Sequence, residues 1–105
     1  MITFEFKINK SFLNYPSHPI TVPKMFNEWF LDEPLGARAL ISCPYGSMDC
    51  VVYPGEAGWG TYYQIRVTSR ETFDPLSKFL LGQRVMVEIK RFPEITEIWL
   101  NPIYK

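Results

Sequence analysis

The single histidine is the side chain of this chain that would most readily carry catalysis near neutral pH. His18 stands between Pro16 and Pro19 in the sequence. A catalytic dyad or triad also needs a nucleophile nearby and a group that orients the imidazole, and the sequence suggests neither. We therefore expect His18 to be an exposed loop residue, with contact to a bound ligand as the alternative.

Two sets of neighbouring carboxylates could in principle do acid–base work, which requires that both groups face one pocket. Asp32 and Glu33 are expected at the end of a helix, and Glu94 and Glu97 around a turn. We therefore interpret both sets as solvent-exposed surface charges. The glycines of residues 54–60, PGEAGWG, match neither phosphate-binding glycine motif. The sequence therefore predicts no enzyme and no cofactor.

The two cysteines could hold a metal or form a disulfide. Cys43 and Cys50 are separated by six residues, which is wider than the usual zinc pair, and the chain offers one histidine in total. We expect no metal site. The interpretation is a pair of reduced, semi-buried cysteines on neighbouring strands of one hairpin, with a cross-strand disulfide as the alternative in an oxidising compartment.

A second group of residues is suited to binding rather than to catalysis. Trp59 lies among glycines, where it either folds back over the end of a barrel or serves as an exposed binding anchor. Tyr62, Gln64 and Arg66 fall on one face of a predicted strand, and Arg70 follows it. These side chains can contact phosphates and base edges, although a solvated strand face has the same composition.

The elements that must position these residues are mostly short strands. Apolar and polar residues alternate at 2–8, 62–68 and 84–92, which is the period of a half-buried strand. Further strands are predicted at 20–22, 37–43, 50–53 and 96–100. The segments 11–19, 44–49 and 54–60 are expected to be a loop, a turn and an exposed flexible loop. Nine prolines divide the chain and mark the ends of elements.

Two short helices are predicted between the strands. The first begins near Pro23, carries Met25, Phe26, Trp29 and Phe30 on one face and ends within residues 32–36. The second begins with Asp74 as cap and Pro75 in the first turn, runs to residues 79–81 and ends at Gly82. The predicted fold class is mainly β: an open pseudobarrel of six or seven short strands with two short helices, in one domain over residues 1–105.

The charge of the chain counts against a nucleic-acid binder, although it does not exclude one, because affinity depends on local charge. Eleven basic and eleven acidic residues give a formal net charge of zero, split as −2 over residues 1–60 and +2 over residues 61–105. The first residues, MITFEFKINK, lack the apolar run of a signal peptide, and no segment is long enough to span a bilayer. We expect a cytoplasmic protein without a membrane partner.

Several motifs between residues 18 and 92 resemble those of a known family. They are HPITVPKMFNEWF at 18–30, a hairpin, a Gly/Trp segment, YYQIRV at 62–67 and DPLSKFLLGQRVMVEI at 74–89. This order resembles the B-three-type DNA-binding pseudobarrels of plant transcription factors and the related effector domains of EcoRII-like restriction enzymes. The motif ITVPKMF would open the first helix, and LLGQ would precede the central strand, with Gln83 where the family usually has Asp.

The resemblance implies a function as well as a fold. A pseudobarrel of this kind would clamp the major groove of double-stranded DNA with two strand–loop arms, at residues 14–19 and 59–66. The alternative is a protein–protein interaction or inhibitor module that binds no nucleic acid. The candidate DNA-contacting residues are Tyr15, His18, Lys24, Trp59, Tyr62, Gln64, Arg66 and Arg70.

Overall fold

Alternation of apolar and polar residues builds seven strands, which the computed structural model joins into one curved sheet. The structure describes residues 1–30, 38–69 and 73–104. The strands are β1 (Ile2–Lys7), β2 (Ile20–Thr21), β3 (Arg38–Cys43), β4 (Gly46–Ala57), β5 (Gly60–Val67), β6 (Arg84–Arg91) and β7 (Thr96–Pro102). Their order across the sheet is β1-β6-β7-β3-β4-β5-β2. The barrel is nearly closed, and the predicted fold class, a mainly β open pseudobarrel, is confirmed.

All neighbouring strands are antiparallel except β3 and β7, which pair in parallel. The two edge strands, β1 and β2, each have one paired neighbour among the described strands. The side chains that point inward fill the barrel. On β6, Val85, Val87 and Ile89 are fully buried, as the alternation predicts.

The part of the chain that the structure describes also contains three short helical segments: α1 (Lys10–Asn14) and two 3₁₀ helices, η1 (Lys24–Phe30) and η2 (Pro75–Lys78). The loop expected at 11–19 is wrong in its first part, because α1 occupies it. The side chain of Asn9 caps α1 by accepting a hydrogen bond of 2.8 Å from the amide of Phe12. Phe12 itself is fully buried, so α1 contributes to the core as well as to the connection.

The two predicted helices form, but both are 3₁₀ helices and the second ends at Lys78. The cap at Asp74 is confirmed, since its carboxylate accepts from the amide of Leu76 at 3.1 Å. The predicted face of the first helix is partly wrong, because Met25 is 81% exposed. With three residues per turn, Phe26 and Trp29 lie on one side and Met25 is directed away. The expected end at 32–36 lies outside the described residues.

Strand β4 is much longer than the predicted strand at 50–53. The turn expected at 44–49 contracts to Pro44 and Tyr45, since Gly46 pairs opposite Cys43 with φ +145°. The exposed loop expected at 54–60 is also wrong: residues 54–57 continue β4, and Gly58 and Trp59 make the turn into β5. Gly55 lies in this strand because the ring of Tyr62 occupies the space that a Cβ would take.

Neither cysteine is in a disulfide, and both are buried rather than semi-buried. They do lie on neighbouring strands of one hairpin, as predicted. However, Cys50 lies opposite Ala39, four residues along β3 from Cys43. That offset is about 13 Å at the usual rise of a strand, beyond the roughly 7 Å between Cα atoms that a disulfide bridges. The register of the hairpin therefore excludes the cross-strand disulfide in this fold.

Candidate nucleic-acid interface

The outer face of β5 carries most of the polar residues that the sequence marked for binding. Tyr62, Gln64 and Arg66 alternate with Tyr63, Ile65 and Val67, which point to the barrel interior. Gln64 lies opposite Thr21 on β2 and opposite Tyr53 on β4. Strand pairing therefore places these three residues in one row across the sheet, and Arg66 lies one step along β5 on the same face.

Hydrogen bonds and stacking hold the side chains of this row. The Nε–H of Arg66 donates to Oε1 of Gln64 at 2.7 Å, and Nε2 of Gln64 donates to the hydroxyl of Thr21 at 3.1 Å. The guanidinium carbon of Arg66 lies 4.1 Å from the ring centroid of Tyr53, which is a cation–π stacking distance. The guanidinium plane is thus fixed from one edge and one face.

A second group of aromatic and basic side chains lies at the β4–β5 turn. Trp59 is 56% exposed, so the structure supports the exposed reading and not the one in which it covers a barrel end. The ammonium of Lys24, at the start of η1, lies 5.1 Å from the Trp59 ring centroid. The Trp59 and Tyr62 rings are 6.3 Å apart. The same hairpin also carries a carboxylate, that of Glu56, which accepts a hydrogen bond of 3.0 Å from the hydroxyl of Thr61.

The first predicted arm faces the second across a groove. This groove has a volume of about 320 Å³ and is lined by Ser11, Tyr15, Ser17, Pro19, Gln64 and Arg66. A second hollow of about 480 Å³ continues along the other side of Tyr15 and is lined by residues 15–17 and 67–69. The amide of Val67 donates to the carbonyl of Ser17 at 2.7 Å, which fixes the spacing between the arms. No carboxylate is among the described residues that line either hollow.

His18 does not belong to this surface. The expectation of an exposed loop residue is wrong, because His18 is only 2% exposed. Its Nδ1 donates to the carbonyl oxygen of Phe12 at 2.6 Å, and its Nε2 lies 2.5 Å from Oδ2 of Asp74 on η2. The ring therefore ties the first arm to the barrel from inside, and burial leaves it no direct contact with a ligand.

The structure thus brings together most, but not all, of the sequence-predicted site. Tyr15, Gln64 and Arg66 border one groove, while Lys24, Trp59 and Tyr62 cluster at the adjoining turn. Arg70 lies outside the described residues. Sequence reasoning missed Tyr53 and Thr21, which complete the row across the sheet. The period of β4 could have shown that Tyr53 faces outward, but its place beside Gln64 depends on register.

The cysteines show no sign of a reactive or metal-binding role. Burial raises the pKa of the Cys50 thiol to about 12, with the nearby charge of Asp49 as a smaller cause. Burial also raises the pKa of the Cys43 thiol. Both groups are therefore neutral thiols near pH 7 and weak nucleophiles. Among the residues that the structure describes, no three His, Cys, Asp or Glu side chains are grouped to hold a metal ion.

Comparison with known proteins assigns no family to this chain. No protein-family model matches the sequence, and no curated protein matches it. Within the described ranges, no helix has both the length and the apolar character needed to cross a membrane.

Proposed function

We propose that this chain is a non-catalytic domain that binds double-stranded DNA through two arms, the loop at residues 15–19 and the β4–β5 hairpin with β5. The observation that carries the proposal is the groove between Tyr15 and Arg66. The two segments that the resemblance assigned to the arms border this one hollow. Hydroxyl, amide and guanidinium groups line it, and these are the groups that contact phosphates and base edges.

The chemistry of the residues around the groove also supports DNA. Tyr15 is exposed at its rim, and the cations Lys24 and Arg66 lie on the same side as Trp59 and Tyr62. The zero net charge of the chain does not oppose binding, because affinity for DNA depends on the local arrangement of cations that meet phosphates. The two thiols, kept apart by strand register, are compatible with a reducing compartment such as the cytoplasm.

A duplex titration tests the proposal. The fluorescence anisotropy of labelled random-sequence DNA should rise on addition of the protein at low salt, and Tyr15→Ala and Arg66→Ala should each weaken binding by about fivefold or more. Trp99→Ala is the matched control, because Trp99 is an exposed aromatic on β7, which β3 and β4 separate from β5. It should leave the affinity unchanged. Absence of binding at low salt would reject the proposal.

A second candidate function is docking to a protein partner. One end of the barrel exposes the adjacent leucines Leu80 and Leu81. Backbone hydrogen bonds between residues 8 and 82–83 bring this turn beside Lys7 and Lys10. Exposed apolar residues with a polar surround are typical of protein contacts. If the duplex titration shows no binding, this surface becomes the main candidate, and a Leu80→Ser variant of unchanged stability should then lose the partner.

A further inference from the structure

The guanidinium of Arg66 is restrained in a way that ordinary surface arginines are not. Its Nε–H is occupied by Oε1 of Gln64 at 2.7 Å, and one face is covered by the Tyr53 ring at 4.1 Å. Gln64 is in turn held by the hydroxyl of Thr21 at 3.1 Å. An arginine side chain has many rotatable bonds, and ordering them when a ligand binds costs free energy. In Arg66 part of this ordering has already occurred on folding.

What remains for a ligand is the edge of the guanidinium that carries the two terminal nitrogens. None of the described residues accepts a hydrogen bond from these nitrogens. Arg66 lines the groove together with Tyr15 and is half-buried. The result is a planar fork of two parallel N–H donors held at a fixed position.

Gln64 holds the fork in place. Because the Nε of Arg66 can only donate, the atom of Gln64 facing it is the carbonyl oxygen. The amide nitrogen of Gln64 donates to the hydroxyl of Thr21. Each end of the Gln64 amide therefore has one partner within the sheet, and these two hydrogen bonds fix the amide beside Arg66. Gln64 and Tyr53 are therefore positioning residues for Arg66.

The edge of guanine in the major groove matches a fork of two donors. Guanine presents two adjacent acceptors there, O6 and N7, whereas adenine pairs one acceptor with a donor, thymine presents one acceptor and cytosine a donor. A phosphate can also accept two parallel hydrogen bonds from arginine, but phosphates are the same at every base pair, so only guanine gives the fork a base preference. The locked orientation of the guanidinium therefore favours a planar pair of acceptors.

We propose that Arg66, held by Tyr53 and Gln64, reads one guanine in the major groove of the bound DNA. This inference rests on the proposed DNA-binding function and adds the base that the site recognises. Arg66 is thereby the specificity-determining residue of the groove between the arms.

The test compares sequence preferences of the full chain and its variants. Short duplexes with a randomised centre are selected on the wild-type protein and on Arg66→Ala, which removes the guanidinium. The wild type should enrich sites with guanine at one position, and Arg66→Ala should lose the preference at that position alone. Replacing that guanine by 7-deazaguanine, which lacks the N7 acceptor, should weaken wild-type binding about tenfold and leave binding by Arg66→Ala unchanged.

Two further variants separate positioning from folding. Tyr53→Leu removes the stacking ring and should reduce the loss of DNA affinity that 7-deazaguanine causes. Tyr53→Phe keeps the ring and should show the same loss of affinity as the wild type. Arg91→Ala is the matched control, because Arg91 also stacks on an aromatic ring, that of Trp29 at 3.8 Å, but does not line the groove. It should leave the base preference intact.

The possible results distinguish this inference from the proposed function. If Arg66→Ala weakens binding to every duplex by the same factor, or leaves an existing guanine preference in place, Arg66 does not read the guanine and the inference is overturned while DNA binding stands. If the wild-type protein binds no duplex at low salt, the proposed function fails and the inference fails with it.

Discussion

At the scale of single residues, the buried histidine has the clearest structural role. His18 joins the carbonyl of Phe12 to the carboxylate of Asp74, which lies 56 residues later in the chain. Its backbone adopts φ +45°, which is uncommon for a residue with a side chain. A polar side chain at this depth is tolerated because both ring nitrogens have partners.

We expect His18→Ala to lower the free energy of unfolding by about 2–4 kcal/mol, because it leaves the buried carbonyl of Phe12 without its partner and removes one of the hydrogen bonds that the Asp74 carboxylate accepts. Urea denaturation followed by tryptophan fluorescence measures this change. Tyr15→Ala serves as the control, since Tyr15 is 59% exposed and should change stability by about 0.5 kcal/mol or less. Equal midpoints for the two variants would contradict the role assigned to His18.

The raised pKa of the Cys50 thiol predicts that the protein loses stability at alkaline pH. Its pKa is raised from the ordinary 9.0 to about 12 by burial, so the folded state holds the proton more tightly than the unfolded state. This stabilisation is complete below pH 9 and is lost as the pH rises from 9 toward 12. The free energy of unfolding should fall by roughly 1 kcal/mol per pH unit in this window.

Other groups also titrate in that range, so the measurement is a comparison between wild type and Cys50→Ala. The variant is expected to be less stable at neutral pH because of the cavity. Its stability should nevertheless decline less steeply with pH in urea titrations above pH 9. Parallel declines in the two proteins would show that Cys50 does not contribute.

At the scale of elements, the β4–β5 hairpin depends on close contact between a glycine and a ring. A Cβ built at Gly55 would lie 2.2 Å from Cζ of Tyr62, whereas one at Gly58, in the turn, would meet no atom within 4 Å. These two glycines lie three residues apart and differ in this contact, which makes them a matched pair. The hairpin is the second arm of the proposed interface.

We expect Gly55→Ala to destabilise the protein by about 1–3 kcal/mol, since Tyr62 must leave its position over β4. Gly58→Ala should be nearly neutral. Urea midpoints measure the stability, and duplex anisotropy under folding conditions measures the effect on the arm. A neutral Gly55→Ala variant that keeps its DNA affinity would show that Tyr62 does not hold the second arm.

At the scale of the whole molecule, the zero net charge bears on the salt dependence expected for the proposed DNA binding. The described members of the candidate site contain two cations, Lys24 and Arg66, and the sequence adds Arg70 beyond them. Each neutralised phosphate contributes about −0.9 to the slope of log affinity against log salt. We therefore expect a slope of about −2 to −3, measured by anisotropy titrations over a range of salt concentrations.

This shallow slope implies that recognition depends on local contacts more than on long-range attraction. A slope much steeper than about −5 would mean that cations outside the groove carry the binding. A flat slope would mean that the protein makes no phosphate contacts. Lys24→Gln provides the control, since loss of one phosphate contact should make the slope shallower by about one.

The sequence by itself determined the features that depend on neighbouring residues. Alternation placed Val85, Val87 and Ile89 inside and put Gln64 and Arg66 together on an outer face, because the side chains of a strand alternate strictly. Asp74 followed by Pro75 specified the start of η2, since capping acts over two or three residues. These signals predicted the fold class and half of the candidate site.

Only the tertiary structure decided what distant segments do to one another. Local sequence placed His18 on the surface, yet it is buried and hydrogen-bonded to Asp74. The glycine-rich segment became strand because it pairs with β5, where Gly55 lies opposite Tyr62. The parallel pairing of β3 with β7 and the groove between Tyr15 and Arg66 likewise join residues far apart in the chain. Such pairings gain their free energy from contacts that no local pattern encodes, so they become visible only once the chain is folded.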